Sequence, residues 1–166
     1  ASIASFDSIY LKKARERKYV VPSGKFSNKP SQITGGFVME SKPGIYDNVL
    51  VLDFKSLYTS MMRTFNIDPI SFLGRKNEKN AVKAPNGVYF RNESGIMPEI
   101  IKTLSEEREK VKKQGNQMAS FAIKTVLNSF WGIFANPSFR FFDMDLANAI
   151  TNFGQHIIKL TAKKIE

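Results

Sequence analysis

The chain has 166 residues, 42% of them hydrophobic, and a formal net charge of +10. The length suits one domain or two small subdomains around a shared core. No Cys is present and the single histidine is His156, which excludes disulfides, thiolate metal sites and multi-histidine zinc sites. Any metal must then be held by oxygen, which favours Mg²⁺, Mn²⁺ or Ca²⁺. No apolar run reaches the roughly 18 residues that span a membrane, and no charged-then-apolar signal segment opens the chain. The positive balance favours a polyanionic partner, nucleic acid ahead of a membrane surface. The chain lacks an initiator Met and stops at KLTAKKIE inside a helical pattern, so a segment of something longer is expected.

In chain order, residues 4–19 read as a helix ending in the basic run KKARERK. Residues 22–36, rich in Pro, Gly, Ser and Asn, read as a linker. GGFVME suggests a strand, and SKPGIYDN a turn around Pro43-Gly44. Asn48 to Leu52 reads as a strand apolar on both faces, the pattern of a covered sheet. Ser56 to about Phe65 reads as a short helix stopped before Asp68-Pro69. Residues 74–86 are polar and aperiodic, an exposed loop, and GVYF at 87–90 is a short strand. A helix follows from Pro98 to about Gln114, with Gly115 at its end. A second runs from about Gln117 to Ala135, and a third from Leu146 onward.

The stretch VLVLDFKSLYTSMM, residues 49–62, places Asp53 at the end of an apolar strand. A carboxylate is rarely buried without a partner, because desolvating its charge is costly. A metal ion, a cationic side chain or a set of backbone amides would each serve.

Two helices carry polar residues against their pattern. At about 100° per residue, Met97, Ile100, Leu104 and Val111 share a face, and Arg108 falls within it with Lys112 at its edge. The next helix is apolar almost all round, which predicts burial. Lys124 and Asn128 interrupt it one turn apart, with Gln117 and Trp131 near the same face. Singly, such residues are read as snorkelling stems or partners of Glu. Together they suggest an anion clasped between antiparallel helices, with the Arg fork and Lys point charges suited to a triphosphate.

These residues also carry a resemblance. DFKSLYTSMM resembles motif A of family B DNA polymerases, DxxSLYPS, and KTVLNSFWG resembles their motif B, KxxxNSxYG. MPEIIKTLSEEREKVKK is similar to the family's fingers helix. GGFVMESKPGIYDNVLVLDFKSLYTSMMRTFNIDP and RFFDMDLANAITNFGQ are most similar to the bacterial DNA polymerase II branch. The likeness covers about residues 35–166, and the preceding segment carries it only weakly.

The resemblance implies an α+β fold, a partial polymerase palm of β-strands with flanking helices plus a helical-hairpin fingers subdomain. Residues 1–34 would lead into the polymerase domain, 35–96 and 136–166 would be palm, and 97–135 the fingers. It implies template-directed transfer of a nucleotide from dNTP to a primer 3′-hydroxyl, with two Mg²⁺ ions, or Mn²⁺ in their place. Asp53 matches a catalytic, metal-binding aspartate, with the Phe54 backbone carbonyl a further ligand. Leu57 and Tyr58 match the floor of the nucleotide pocket, Tyr58 as a steric gate against a 2′-hydroxyl. Backbone amides from Ser56 to Tyr58 match a phosphate-holding helix start. Arg108, Lys112, Lys124 and Asn128 match the triphosphate grip, and Lys124 a proton donor to leaving pyrophosphate. Ser129, Trp131 and Gly132 match positions beside the nascent base pair. The implied partners are primer-template DNA and dNTP, with no membrane, in a cytoplasmic, nucleoid-associated protein.

Departures accompany the likeness. Thr59 stands where the family has Pro, and Trp131 where motif B has Tyr. No Asp-x-Asp follows residue 145, so the Asp-Thr-Asp of motif C is missing, as are the thumb and the exonuclease motifs. One carboxylate is a weak cage for Mg²⁺, so the isolated chain is expected to be inactive. Asp143 and Asp145 are expected to be surface or capping residues, His156 structural, and Arg140 a support of the site or a DNA-backbone contact. Two rivals remain: a non-catalytic nucleic-acid-binding module derived from a polymerase, and a structural role in a replication complex.

Overall fold

A computed structural model describes residues 3–24 and 33–165. Eight elements follow in order: α1 (Ile3–Glu16), α2 (Leu57–Thr64), β1 (Phe72–Gly74), β2 (Val82–Lys83), β3 (Tyr89–Phe90), α3 (Ile96–Lys113), α4 (Gln117–Phe134) and α5 (Met144–Ile165). The fold is thus mixed: long helices pack on one another, and one small sheet lies beside α5. The expected linker falls partly on residues 25–32, outside the described residues.

The helices form where apolar residues recur at helical spacing. Phe6, Tyr10 and Ala14 put one buried stripe on α1. Met97, Ile100 and Ile101 do so on α3, and Leu146, Ala149, Ile150 and Phe153 on α5. Asp143 caps α5, its Oδ1 accepting from the amides of Asp145 at 2.9 Å and Leu146 at 3.1 Å, as expected of it. Asn116 caps α4 by accepting from the Ala119 amide at 3.0 Å. Between α3 and α4, Gly115 takes φ +75°, a left-handed turn position that suits glycine.

The core joins α1 to the end of α4 through aromatic rings. Phe6 lies 5.2 Å from Phe130 and 5.7 Å from Phe139, and Tyr10 lies 4.8 Å from Phe141. Phe65, at the end of α2, stacks on Phe153 of α5 at 3.9 Å. Arg140 is held within this frame. Its Nε and Nη2 donate to both carboxylate oxygens of Asp7, and its Nη1 donates to the Pro22 carbonyl. The expected role for Arg140 at the site or on DNA thus gives way to a strut onto α1.

A second polar cluster fixes the start of α3. The buried Asp68 carboxylate accepts from the Tyr10 hydroxyl at 3.0 Å, the Ile70 amide at 3.0 Å and the Met97 amide at 2.7 Å. Asn66 donates to the carbonyls of Arg91 and Glu93, and its Oδ1 accepts from the Gly95 amide at 2.8 Å. Gly95 is required by space: a Cβ there would lie 2.7 Å from the Asp68 Cβ. Burial holds the Asp68 carboxyl above the usual carboxylate range, against the opposing pull of its donors. The Tyr10 hydroxyl is pushed up by burial and by the neighbouring carboxylate.

The sheet corrects the reading of residues 74–86 as loop throughout. β3 is central and antiparallel to both neighbours, with Phe72 opposite Phe90 and Val82 opposite Phe90. Polar sequence hid β2, because its ladder needs only two residues and a turn at Gly87, φ +85°. The expected strands at GGFVME and 48–52 are absent: residues 33–54 contain no strand. Leu50 and Val51 are 89% and 88% exposed. A strand apolar on both faces needs a ladder partner and cover on each side, and no described segment supplies them.

Candidate active site

The hairpin of α3 and α4 packs on α2 and gathers most of the cations that the sequence singled out. Arg108 and Lys112 from α3 and Lys124 from α4 line one open cavity of about 380 Å³, together with Gly115 and Gln117 at the turn between the helices. The α3–Gly115–α4 turn makes this possible, since it folds the face of α3 that carries Arg108 and Lys112 back toward Lys124 of α4. Arg108 is half-buried, and its Nε is buried with no hydrogen-bond partner among the described residues. A buried donor without an acceptor is costly, so an anion entering here would remove a penalty as well as add an attraction.

A second cavity, about 270 Å³, is lined by Ser56, Leu57, Tyr58, Asn128 and Trp131, with Thr59 and Leu127. Leu127 and Asn128 put it one turn further along α4 than Lys124. The ring centroids of Tyr58 and Trp131 are 5.8 Å apart. The Trp131 Nε1 is a further buried donor without a partner among the described residues. Ser56 precedes α2 at φ 54° and ψ 52°, and its side chain makes no cap bond to the helix. A non-glycine residue held left-handed costs on the order of 1–2 kcal/mol, and such strain gathers at functional sites. Thr59 is buried, and its hydroxyl donates to the Ser56 carbonyl at 3.0 Å. The hydroxyl thereby ties down the left-handed residue, which a proline ring there has no donor to do.

A larger cavity of about 670 Å³ lies between α2 and α3 and shares Arg108, Ser56 and Thr59 with the other two. Lys55 and Glu109 both line it and pair at 2.8 Å. That pairing holds the Glu109 carboxyl below its ordinary range.

Other expected residues are placed differently. Asp53 is exposed in the irregular segment before α2, not at the end of a buried strand. Among the described residues, no group of three His, Cys, Asp or Glu side chains comes together to hold a metal. Phe54 is 40% exposed. Ser129 turns its hydroxyl back to the Val126 carbonyl at 2.7 Å. Gly132 faces open space beside Trp131, since nothing lies within 4 Å of a Cβ built there. The expectation that α4 is buried almost all round fails: one face is buried, mostly through Leu127, Phe130, Ile133 and Phe134 in its second half. Met118 and Phe121, in the first half, are 86% and 70% exposed. Lys124 and Asn128 are themselves exposed. The Asn66–Asp68 cluster went unread; its one signal was an aspartate set between Ile67 and Ile70.

No helix among the described residues is long and apolar enough to cross a membrane. The sequence matches the family described as DNA polymerase family B over residues 3–166. It is 38% identical to DNA polymerase II of Escherichia coli (strain K12), over 99% of this chain and 21% of that protein. It is 31% identical to a DNA polymerase of Desulfurococcus sp. (strain Tok), over 94% of this chain and 22% of that one. Its fold is similar to the family B DNA polymerase from the hyperthermophilic archaeon Pyrobaculum calidifontis. There the TM-score is 0.73 at 26% identity, over 99% of this chain and 24% of that one. The chain therefore spans about a fifth of the length of the curated relatives it matches. With family match, relatives and fold in agreement, the chain belongs to DNA polymerase family B.

Proposed function

We propose that this segment forms the nucleotide site of a template-directed DNA polymerase, with α3 and α4 as fingers and residues 35–96 and 136–166 as parts of the palm. The observation that carries the reading is the convergence of Arg108, Lys112 and Lys124 on one cavity. The Tyr58–Asn128–Trp131 cavity lies beside it along α4. The cations would hold the triphosphate, Arg108 through its fork and the lysines as point charges. Tyr58 would lie under the sugar and leave no room for a 2′-hydroxyl. As the primer 3′-oxygen attacks the α-phosphate and pyrophosphate leaves, Lys124 would deliver a proton to the leaving oxygen. Asn128 would hold a phosphate oxygen, and Ser129, Trp131 and Gly132 would border the nascent pair.

Asp53 and the Phe54 carbonyl would be two of the oxygen ligands of Mg²⁺. They fall short of the roughly six that the ion takes, so the described residues do not fit the ion by themselves. We assign no step to it. On this reading the 166-residue chain alone does not extend a primer.

The test is primer extension with Mg²⁺ and four dNTPs, using the 166-residue chain beside the full-length protein. Extension only by the full-length protein supports the reading. Steady extension by the short chain refutes its inactivity, and extension by neither, with both folded, refutes the polymerase reading. A second reading, a nucleic-acid-binding module without catalysis, is favoured by the exposed, uncaged Asp53. Salt-sensitive DNA binding indifferent to dNTP would support it, but it gives no reason for three cations to share a cavity.

A further inference from the structure

Tyr58 is hemmed in by two glycines that neither motif contains. Gly154 lies in the interior of α5, buried, with no unusual φ. A glycine there costs the helix about 0.5–1 kcal/mol relative to alanine, so its own backbone gives no reason for it. Its surroundings do. A Cβ at Gly154 would stand 3.3 Å from Cε1 and 3.6 Å from Cδ1 of Tyr58, and 3.5 Å from Cδ2 of Leu57. No α5 residue lines the Tyr58–Trp131 cavity. Gly154 therefore meets the ring edge from outside the set of residues that line that cavity.

Gly36 meets the other end of the same side chain. A Cβ there would lie 3.1 Å from the Tyr58 hydroxyl oxygen. The segment carrying Gly36 is irregular but tied to α5 at three points. The Thr34 amide donates to Asn148 Oδ1 at 2.8 Å, and Gln155 Nε2 donates to the Gly35 carbonyl at 2.7 Å. Lys159 Nζ sits 4.7 Å from the centre of the Phe37 ring. The strap and α5 thus behave as one wall behind Tyr58.

We infer that Gly154, with Gly36, is a positioning residue for nucleotide selection: the absence of side chains there sets how far the Tyr58 ring protrudes into the sugar-binding cavity. The inference rests on the proposed reading of Tyr58 as the sugar gate. A methyl group at Gly154 would press on the ring edge and shift it by a few tenths of an ångström, changing the shape of the cavity that Tyr58 lines without altering the reacting groups.

The experiment is a double-mutant cycle in the full-length protein, with kcat and KM measured for dNTP and rNTP. Gly154→Ala is expected to raise the KM for dNTP about fivefold with kcat held within about twofold, as overpacking of a binding wall predicts. In a Tyr58→Ala background the same substitution should change KM by less than about twofold. An equal penalty in both backgrounds overturns the inference, because Gly154 would then act through α5 packing. An unchanged KM with Tyr58 present overturns it too. Should Tyr58→Ala leave the dNTP-to-rNTP selectivity unaltered, the gate reading itself falls. Should it relax selectivity while the two substitutions remain additive, only the present inference falls. Gly36→Ala, in the irregular strap, is a second variant with the same expected coupling, and its additivity with Tyr58→Ala would likewise overturn the proposal if Gly154→Ala does not fold.

Discussion

Asp53 and Asp68 lie fifteen positions apart and have opposite surroundings. Asp53 follows an apolar run and is exposed, while Asp68 sits between Ile67 and Pro69-Ile70 and is fully buried. Asp68 has donors from α1, from its own turn and from the first turn of α3. Of these two, the carboxylate that carries structural weight is thus the one outside the motifs. The motif carboxylate stands clear of the core, where a ligand can reach it.

The contrast is open to tests of decreasing size. Asp68→Ala should cost about 3 kcal/mol, because buried donors on Tyr10 and Met97 lose their acceptor; denaturant titration reads it, and a loss under about 1 kcal/mol would break the contrast. Arg108→Ala and Lys124→Ala in the full-length protein should each lower incorporation at least about tenfold, roughly 1.4 kcal/mol in the barrier. Single-turnover rates near normal for both would remove the triphosphate assignment.

The pH dependence follows from the raised Asp68 carboxyl. Its folded pKa lies above its unfolded one, so folding takes up a proton in the window between them. The contribution to stability is full below the unfolded value, about 3.9, and is lost as pH rises through the folded value. Melting curves across that window should show this component in the native chain and not in Asp68→Ala. Smallest of all, Asp53→Ala should change stability by less than about 0.5 kcal/mol, as for other exposed sites. A larger loss would mean that Asp53 has a structural partner.

The helices were legible because their causes are local. Periodic apolar residues, Pro98 in the first turn and Gly115 at the end place α3 and α4 almost to the residue. The cationic cluster was legible for the same reason, since Arg108, Lys112 and Lys124 follow from helix phase once the two helices fold back on each other. What failed depends on distant residues. The run at 48–52 has the pattern of a covered strand, but a pattern cannot supply a ladder partner. The Asp68 cluster joins residues 58 and 29 positions away in sequence, so no local window contains it. The two-residue β2 is too short to show alternation. The wall behind Tyr58 was unreadable because a helix-interior glycine carries no sign of what approaches it.

The anchoring of α3 at its first turn has a mechanical consequence. Arg108 lies eleven residues beyond Met97, about 16 Å along the helix axis. The Asn66–Asp68 cluster holds the near end, while packing on α4 and the Lys55–Glu109 pair steady the far one. A tilt of α3 by about 5° at its first turn would carry Arg108 through roughly 1.4 Å over that arm, which on the proposed triphosphate reading is enough to spoil a phosphate contact. On that reading, the polar cluster contributes to the aim of the guanidinium from about 16 Å away.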